Sequence, residues 1–369
     1  DSADLYSLAI AEDDATVLGC EAGPLTSGLL QQVLLGDEGV MAQLSQAQPA
    51  ESLAAKLAAL WHVLMPEKSR GELTAGKWSR LIVVPNGPLA FLPFEALVTT
   101  LAGGPKYFLD ACPPVYYAPS VTVLDSLRIR PPVALAADRE PVLTVGDPSY
   151  GDAEQGAAAA RNVIARGLLT RLPNSGVESR WVSELFDRDG VPSVRLAEAD
   201  ATEANFTDAA PARKLIHLAC HGLTDQAHGN LFGALALTPG GNPDEDPRDD
   251  GFLTLAEIYD LDLRGCELAI LSACETNYGP EQQGEGIWSL SRGFLVAGTR
   301  RVVASNWVVD DEATAHLVSY FCGGIAKAEA AGEKYRYGPA LLAAKRQIRQ
   351  QAKWQAPYYW ASMVLIGPP

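Results

Sequence analysis

Two residues able to do chemistry end two short apolar runs of this chain. The run KLIHLACHGL, residues 214–223, stops at His221, and the run ELAILSACET, residues 267–276, stops at Cys274. A cysteine and a histidine held together support nucleophilic catalysis, because the histidine can take the thiol proton while the sulfur attacks. Each run has the length of a buried strand, so we expect both reactive side chains at strand ends.

The elements around these runs favour an α/β fold. From residue 141 onward, apolar runs of strand length alternate with helical segments, and WASMVLIG, residues 360–367, closes the chain as a strand. This alternation indicates a mostly parallel sheet flanked by helices on both faces. Ligands bind beyond the carboxyl ends of such strands. His221 and Cys274 are therefore expected at one edge of the sheet, provided that their strands are neighbours.

A Pro- and Ala-rich stretch, residues 130–141, predicts a division of the chain. We expect residues 1–135 to form an N-terminal helical and α/β supporting region, and residues 136–369 to form the domain that carries the site. The chain begins with Asp rather than Met. This suggests a fragment or a processed product and leaves room for an upstream signal or domain.

The charge balance disfavours two classes of partner. The 369 residues include 29 basic and 45 acidic side chains, which gives a net charge of −16. Nucleic-acid binding needs clustered Lys and Arg, and docking on anionic membranes also needs positive charge. No uninterrupted run of about 18 apolar residues predicts a transmembrane helix. We expect a cytoplasmic protein that binds neither nucleic acid nor membrane, with an acidic surface suited to a basic substrate segment.

Neither a metal nor any other cofactor is predicted. Zinc sites use close Cys pairs, which the six cysteines do not form, and the adjacent Cys220 and His221 would point to opposite faces of a strand. The stretch GELTAGKW, residues 71–78, nearly matches a phosphate-binding loop. Trp78, however, stands where Ser or Thr must bind magnesium, and the preceding residues are helical rather than a strand.

The neighbours of the two residues leave two interpretations open. Gly222 lacks a Cβ, so its backbone N–H, together with that of Cys274, could stabilise an oxyanion. Glu275 would oppose formation of the Cys274 thiolate. The spacing alone is equally compatible with a structural His221 and an inert, buried Cys274. His217, within the first run, is expected to be a core or helix-contacting histidine.

Several long motifs resemble the CHAT family of caspase- and separase-related cysteine proteases, which are often fused to tetratricopeptide repeats. The resemblance rests on HLACHG, on LTLAEIYDLDLRGCELAILSACETNYG, on GEGIWSLSRGFLVAGTRRVVASNWVVDDEAT and on the terminal PYYWASMVLIG. It extends to RLIVVPNGPLAFLPFEAL and LPNSGVESRWVSELF. The offset of 53 positions from His221 to Cys274 also suits the caspase pattern, in which the histidine lies about 50 residues upstream of the cysteine.

The resemblance implies a caspase-like sheet in which His221 is the catalytic histidine and Cys274 the nucleophile, with Gly222 and the Cys274 amide as the oxyanion hole. The supporting region would be a degenerate copy of the same fold. By similarity to separases, Asp311 would line the pocket for the substrate residue before the cut. The substrate-binding set proposed on this basis is Asp311, Trp307, Asp310 and Glu275.

The position of Asp310 and Asp311 after the strand-like RVVASNWVV also has a local explanation, because either aspartate could cap a helix that starts near Glu312. The activity that the resemblance implies is a cysteine endopeptidase acting on a protein partner under the control of a tetratricopeptide-repeat or other sensor module. The alternatives are a catalytically silent scaffold or interaction module with a protease fold, and a thiol acyltransferase or amidase.

Overall fold

The structure is a computed structural model that describes residues 4–10, 17–131, 133, 139–150, 169–225, 228–240, 250–282 and 286–369. Its strands are β1 (Asp4–Ile10), β2 (Val17–Thr26), β3 (Leu81–Val83), β4 (Val98–Thr100), β5 (Lys106–Tyr107), β6 (Val115–Tyr117), β7 (Val142–Pro148), β8 (Ser193–Glu198), β9 (Leu215–Ala219), β10 (His221–Leu223), β11 (Ala234–Ala236), β12 (Phe252–Thr254), β13 (Leu268–Ser272), β14 (Glu281–Gln282), β15 (Gly286–Ile287), β16 (Val302–Ser305) and β17 (Met363–Ile366).

Its α-helices are α1 (Ser27–Leu35), α2 (Val40–Leu44), α3 (Ser52–Leu64), α4 (Glu67–Thr74), α5 (Phe108–Ala111), α6 (Val121–Ile129), α7 (Pro173–Arg188), α8 (Glu203–Ala209), α9 (Leu255–Asp260), α10 (Leu290–Ala297), α11 (Asp311–Ala330), α12 (Tyr337–Gln350) and α13 (Pro357–Trp360). Short 3-10 helices span Gly87–Phe91, Phe94–Ala96 and Ala352–Trp354. Among the residues described, no helix combines the length and the apolar character needed to cross a bilayer.

An eight-stranded sheet forms the centre of the fold, with the strand order β3-β6-β17-β16-β13-β9-β7-β8. Its neighbouring strands run parallel, except for the antiparallel pair β16 and β17. The core strands β7, β9, β13 and β16 are buried along their whole length, as expected for parallel strands covered by helices on both faces. The predicted α/β class with a mostly parallel sheet is confirmed.

The two strands that precede His221 and Cys274 are neighbours in this sheet. β9 and β13 pair in parallel from Leu215 opposite Leu268 to Ala219 opposite Ser272. The carboxyl ends of both strands therefore lie at the same edge of the sheet, which confirms the condition on which the predicted site depended.

In one helical layer, α7 packs against α11, and α11 packs against α12. His217 of β9 contacts this layer, because its Nε2 lies 2.7 Å from Oε1 of Glu178 on α7. Its Nδ1 lies 2.7 Å from Oγ1 of Thr144 on β7, and the imidazole is fully buried. His217 is thus a hydrogen-bonded core histidine in contact with a helix, as predicted.

The sheet is continuous across the boundary expected near residue 135. β3 and β6, from the N-terminal part, extend it beyond β17. A buried ion pair between Lys345 Nζ and Glu95 Oε1, 2.6 Å apart, also links the two parts, and Glu95 accepts a 2.6 Å hydrogen bond from the Tyr117 hydroxyl. The division into 1–135 and 136–369 stays a prediction.

Some local elements differ from the sequence-based expectations. The stretch FLPFEALV, residues 91–98, has a sequence that suggests the start of a helix. It instead forms parts of two 3-10 helices and the beginning of β4, because Pro93 interrupts it. The hairpin of β1 and β2 had not been expected. Two stretches lie mostly outside the described residues. They are GAAAARNVIARGLL, residues 156–169, whose composition predicts a helix, and the acidic PGGNPDEDPRDDG, residues 239–251, which predicts a solvated loop.

Candidate active site

His221 and Cys274 occupy equivalent positions beyond their paired strands. Ala219 pairs with Ser272 at the end of the β9–β13 ladder, and each reactive residue follows two positions later. The backbones remain in contact there, because a Cβ built on Gly222 would lie 2.1 Å from the Cys274 carbonyl oxygen and 3.3 Å from its nitrogen. The structure therefore brings together His221, Gly222 and Cys274.

This close approach explains why residue 222 must be glycine. The atoms that a Cβ would meet are backbone atoms of Cys274, which cannot rotate away as a flexible side chain could. The sequence had suggested glycine here for access to its N–H. The structure adds a second reason, which is that the chain after His221 lies directly against the chain at Cys274.

A backbone carbonyl orients the His221 ring. Nε2 lies 2.7 Å from the carbonyl oxygen of Thr170, and because a carbonyl only accepts, Nε2 must carry the proton in this contact. The neutral imidazole then has Nδ1 as its unprotonated nitrogen, the atom able to accept a proton. Tyr150 supports the same residue, since its hydroxyl accepts a 3.3 Å hydrogen bond from the His221 N–H and its ring lies 5.2 Å from the imidazole.

The Cys274 thiol is partly buried and electrostatically unfavourable for a thiolate. Burial raises the pKa of Cys274 above its ordinary value, and the nearby carboxylates of Glu275 and Asp311 raise it further. The backbone N–H of Val309 donates to the sulfur and lowers the pKa against these effects. The resting cysteine is therefore a protonated thiol, and Glu275 disfavours the thiolate as the sequence predicted.

Glu275 follows Cys274 in an unusual backbone conformation. Its φ of 53° places a non-glycine residue in the left-handed region, which costs free energy and is concentrated at functional sites. Its side chain is half-buried, and burial raises the pKa of its carboxyl group. The turn after the cysteine is therefore a strained one that holds a desolvated acid next to the thiol.

The two aspartates at the start of α11 have different contacts. Asp310 caps the helix, because its Oδ1 accepts a 2.8 Å hydrogen bond from the Ala313 N–H. Asp311 is the first helical residue, and its Oδ2 accepts a 3.1 Å hydrogen bond from the Asn174 N–H at the start of α7. Burial raises the pKa of Asp311, while the hydrogen bonds from Asn174 lower it. Capping therefore explains Asp310 but not Asp311.

Trp307 lies beneath this region rather than at its surface. Only 4% of it is exposed, and its indole N–H donates a 3.2 Å hydrogen bond to the Tyr358 carbonyl. Burial raises the pKa of the Tyr358 phenol, and the charge of the Asp310 carboxylate raises it further. Sequence reasoning missed Tyr150, Thr170, Val309 and Tyr358, because nothing in their local sequence marks them.

The cysteines of the described core differ from Cys274 in exposure. Cys112, Cys220, Cys266 and Cys322 are free and buried, whereas Cys274 is free and partly exposed. Burial raises the pKa of each of the buried thiols. Within the same described residues, no group of three or more His, Cys, Asp or Glu side chains is arranged to hold a metal ion.

Comparison with known protein families identifies one domain over most of the chain. The model of the CHAT domain matches residues 54–368. The chain belongs to the CHAT domain family. The match covers both His221 and Cys274 and also the strands of the N-terminal part that extend the sheet.

Curated relatives of this CHAT domain include tetratricopeptide repeat protein 28 from Homo sapiens, which is 24% identical over 320 residues, and the protein of that name from Mus musculus, 24% identical over 325 residues. Each alignment covers 79% of this chain but only 12% of the relative. The chain thus spans about an eighth of the length of the curated relatives that it matches.

Solved structures with a similar backbone include the Arg-specific cysteine proteinase gingipain R from Porphyromonas gingivalis. It has a TM-score of 0.50 and 9% identity over 89% of this chain and 69% of its own. This likeness shows a shared fold. The separase–securin complex of Saccharomyces cerevisiae matches with a TM-score of 0.46 and 12% identity, over 87% of this chain and 18% of its own.

Proposed function

We propose that this CHAT domain is a cysteine endopeptidase in which Cys274 is the nucleophile and His221 the general base and acid. The observation that carries the proposal is the shared strand register, which places both residues two positions beyond the last pair of β9 and β13. The contact between Gly222 and the Cys274 backbone adds to it. The tautomer of His221 that Thr170 selects leaves Nδ1 as the proton acceptor.

The proposed reaction follows from these positions. Nδ1 of His221 accepts the thiol proton while the Cys274 sulfur bonds to the carbonyl carbon of a peptide bond. The backbone N–H groups of Gly222 and Cys274 stabilise the resulting oxyanion. The C–N bond then breaks, the imidazolium gives its proton to the leaving amine, and water hydrolyses the thioester to release the acid and restore the thiol.

The raised pKa of Cys274 is compatible with this reaction if deprotonation accompanies attack. The thiol is stable in the resting site because burial, Glu275 and Asp311 disfavour the thiolate. A bound substrate with a basic side chain would neutralise the Asp311 charge and so favour the thiolate. Substrate binding and activation of the nucleophile would then be coupled.

We further propose that Asp311 selects a basic residue before the cut, with Asp310, Glu275 and the Trp307–Tyr358 pair forming its surroundings. A carboxylate binds a guanidinium or ammonium group through charge-assisted hydrogen bonds. The Asp311 carboxylate is fixed by Asn174 and lies close enough to Cys274 to raise its pKa. The net charge of −16 would attract basic segments towards the site.

The relatives suggest how such a protease would be controlled. They are tetratricopeptide repeat proteins of which this chain matches a small part. We propose a protein substrate, and a tetratricopeptide-repeat or other sensor module that recruits it or controls access to the site. The cytoplasmic location stays a prediction.

The test is incubation of the protein with a library of unstructured peptides, followed by mass spectrometry of the products. We expect cuts that share the residue before the scissile bond and that disappear with Cys274→Ala. Peptides that are bound but not cut would instead support the silent scaffold. Modified but uncut peptides would support the acyltransferase or amidase alternative.

A further inference from the structure

An ion pair lies beside the carbonyl that orients His221. The Arg171 guanidinium contacts the Asp147 carboxylate through two hydrogen bonds, Nε to Oδ1 at 2.8 Å and Nη2 to Oδ2 at 2.6 Å. Such a two-point contact fixes the orientation of the guanidinium as well as its distance. Arg171 directly follows Thr170, whose carbonyl accepts a hydrogen bond from the His221 Nε2–H.

The covalent link between the two contacts is short. The Thr170 carbonyl and the Arg171 nitrogen belong to one planar peptide group. The rotatable bonds between that group and the guanidinium are those of Arg171 alone. Anchoring the guanidinium therefore narrows the orientations open to the Thr170 carbonyl.

Asp147 is a rigid anchor for this ion pair. It belongs to β7, next to β9 in the sheet, and follows Gly146, which pairs with Ala219 two residues before His221. Its φ is 55°, and its N–H donates a 3.0 Å hydrogen bond to the Ser175 hydroxyl. The Ser175 hydroxyl in turn donates to the Leu172 carbonyl at 2.7 Å. The segment after Thr170 is thus held to the sheet at two points.

We propose that Arg171 and Asp147 are positioning residues that hold the Thr170 carbonyl against His221 and thereby fix the tautomer with the proton on Nε2. The role of that tautomer in catalysis rests on the proposed protease function. The tautomer itself is a property of the folded protein and does not depend on any activity. Loss of the ion pair would leave the Thr170 peptide free to rotate, and the ring could then protonate at Nδ1 instead.

A purely structural role for this pair would affect stability without affecting the His221 ring. The Arg171 side chain is 64% exposed but that of Asp147 only 10%, so loss of Arg171 leaves a mostly buried carboxylate without its ion-pair partner and lowers the free energy of unfolding. The chain offers a matched control in Arg264 and Asp262. Their guanidinium and carboxylate groups make the same two contacts at the same distances, 2.8 and 2.6 Å, in a loop before β13, at the other end of that strand from Cys274.

The experiment compares Arg171→Ala, Arg171→Lys and Asp147→Asn with the control Arg264→Ala. The tautomer is read from side-chain ¹⁵N NMR of histidine-labelled protein at a pH where the ring is neutral, with His221 assigned from the spectrum of His221→Ala. We expect one Nε2-protonated form in the unmodified protein and in Arg264→Ala, and a shift towards mixed tautomers in Arg171→Ala. Arg171→Lys keeps the charge without the two-point contact, and Asp147→Asn keeps the residue's tolerance of positive φ, so both should give intermediate spectra.

The kinetic consequence is a loss of kcat with little change in KM. Misplacing a catalytic group by about 1 Å can cost roughly 100-fold in rate, and we expect a loss of kcat up to about this size for Arg171→Ala. If Arg171→Ala fails to fold by circular dichroism, Arg171→Lys and Asp147→Asn decide the matter. An unchanged His221 tautomer in every folded variant would overturn the inference. If the NMR spectra change as expected but the protein cuts no peptide, the positioning role of Arg171 and Asp147 is supported and the proposed protease function is rejected.

Discussion

His221 and Cys274 are separated by the offset that defines the pairing of their strands. The residues paired between β9 and β13, such as Leu215 with Leu268 and Ala219 with Ser272, are 53 positions apart, and so are His221 and Cys274. A slip of one residue in this register would remove the equal offset of the two residues from the last pair of the ladder. The equivalent chain positions of His221 and Cys274 beyond the sheet therefore follow from the pairing of β9 with β13.

Alkylation should single out Cys274. Of the five cysteines whose side chains the structure describes, Cys112, Cys220, Cys266 and Cys322 are buried and Cys274 is partly exposed. We expect iodoacetamide to label Cys274 first, as measured by peptide mapping, and to abolish peptide cleavage in step with that labelling. The Cys220→Ala variant should be labelled at Cys274, and inactivated, at the same rate as the unmodified protein. Chelators should leave cleavage unchanged, and loss of activity with EDTA that zinc restores would show that a metal takes part.

The pH dependence of this labelling should reflect the raised pKa of Cys274. Iodoacetamide reacts with the thiolate, whose fraction rises as the pH passes the pKa of the thiol. Because burial raises that pKa, the midpoint of the labelling rate should lie above that of an exposed cysteine in a peptide. Glu275→Gln and Asp311→Asn each remove a carboxylate that raises the pKa, so each should move the midpoint to lower pH. A midpoint below that of the peptide would contradict the described surroundings of the thiol.

Gly222→Ala should damage the site through its backbone. The added Cβ would lie 2.1 Å from the Cys274 carbonyl oxygen, so the chain must shift, at a cost of about 1–3 kcal/mol in the free energy of unfolding. We expect chemical denaturation to show this loss, together with slower cleavage and slower labelling of Cys274. Gly71→Ala is the matched control. No atom lies within 4 Å of its added Cβ in α4, and the change should leave both reactions intact. Normal cleavage by Gly222→Ala would show that cleavage does not require the close approach of the Gly222 and Cys274 backbones.

Substitutions of Asp310 and Asp311 should differ in effect, the first lowering stability and the second changing the choice of substrate. Asp310→Ala removes the hydrogen bond to the Ala313 N–H and should cost about 1 kcal/mol of stability without changing the cut sites. Asp311→Asn keeps an oxygen that can accept from the Asn174 N–H, so the fold should survive while selectivity for Arg or Lys before the cut is lost. The cut sites are read from the peptide library. Cleavage by the unmodified protein after apolar or acidic residues would leave Asp311 with a structural role only.

The sequence predicted the parts of the site that depend on local pattern. The apolar runs before His221 and Cys274 identified two buried strands, and Asp310 and Asp311 were recognised as the start of a helix that does begin at Asp311. Such features follow from residue periodicity and capping, which act over a few positions. The spacing of 53 was noticed as a family pattern, but its physical meaning as a strand register needed the structure.

The contacts that tune the site could not be predicted in this way. Thr170 reaches His221 across 51 positions, and the Tyr150 hydroxyl reaches the His221 N–H across 71. The Thr170 and Val309 contacts use backbone groups that any residue type could supply, so no side chain marks them. They depend on which elements the tertiary fold places next to the strand ends, and this is decided by packing of the whole sheet.

The most direct test of the central claim is cleavage of the best library peptide by three variants with equal circular dichroism spectra. Cys274→Ala should release no product above the uncatalysed rate, His221→Ala should lose nearly all activity, and Cys220→Ala should cleave at the rate of the unmodified protein, because its buried thiol takes no part. Product release by Cys274→Ala at the rate of the unmodified protein would contradict the account, because the sulfur would then not be the nucleophile.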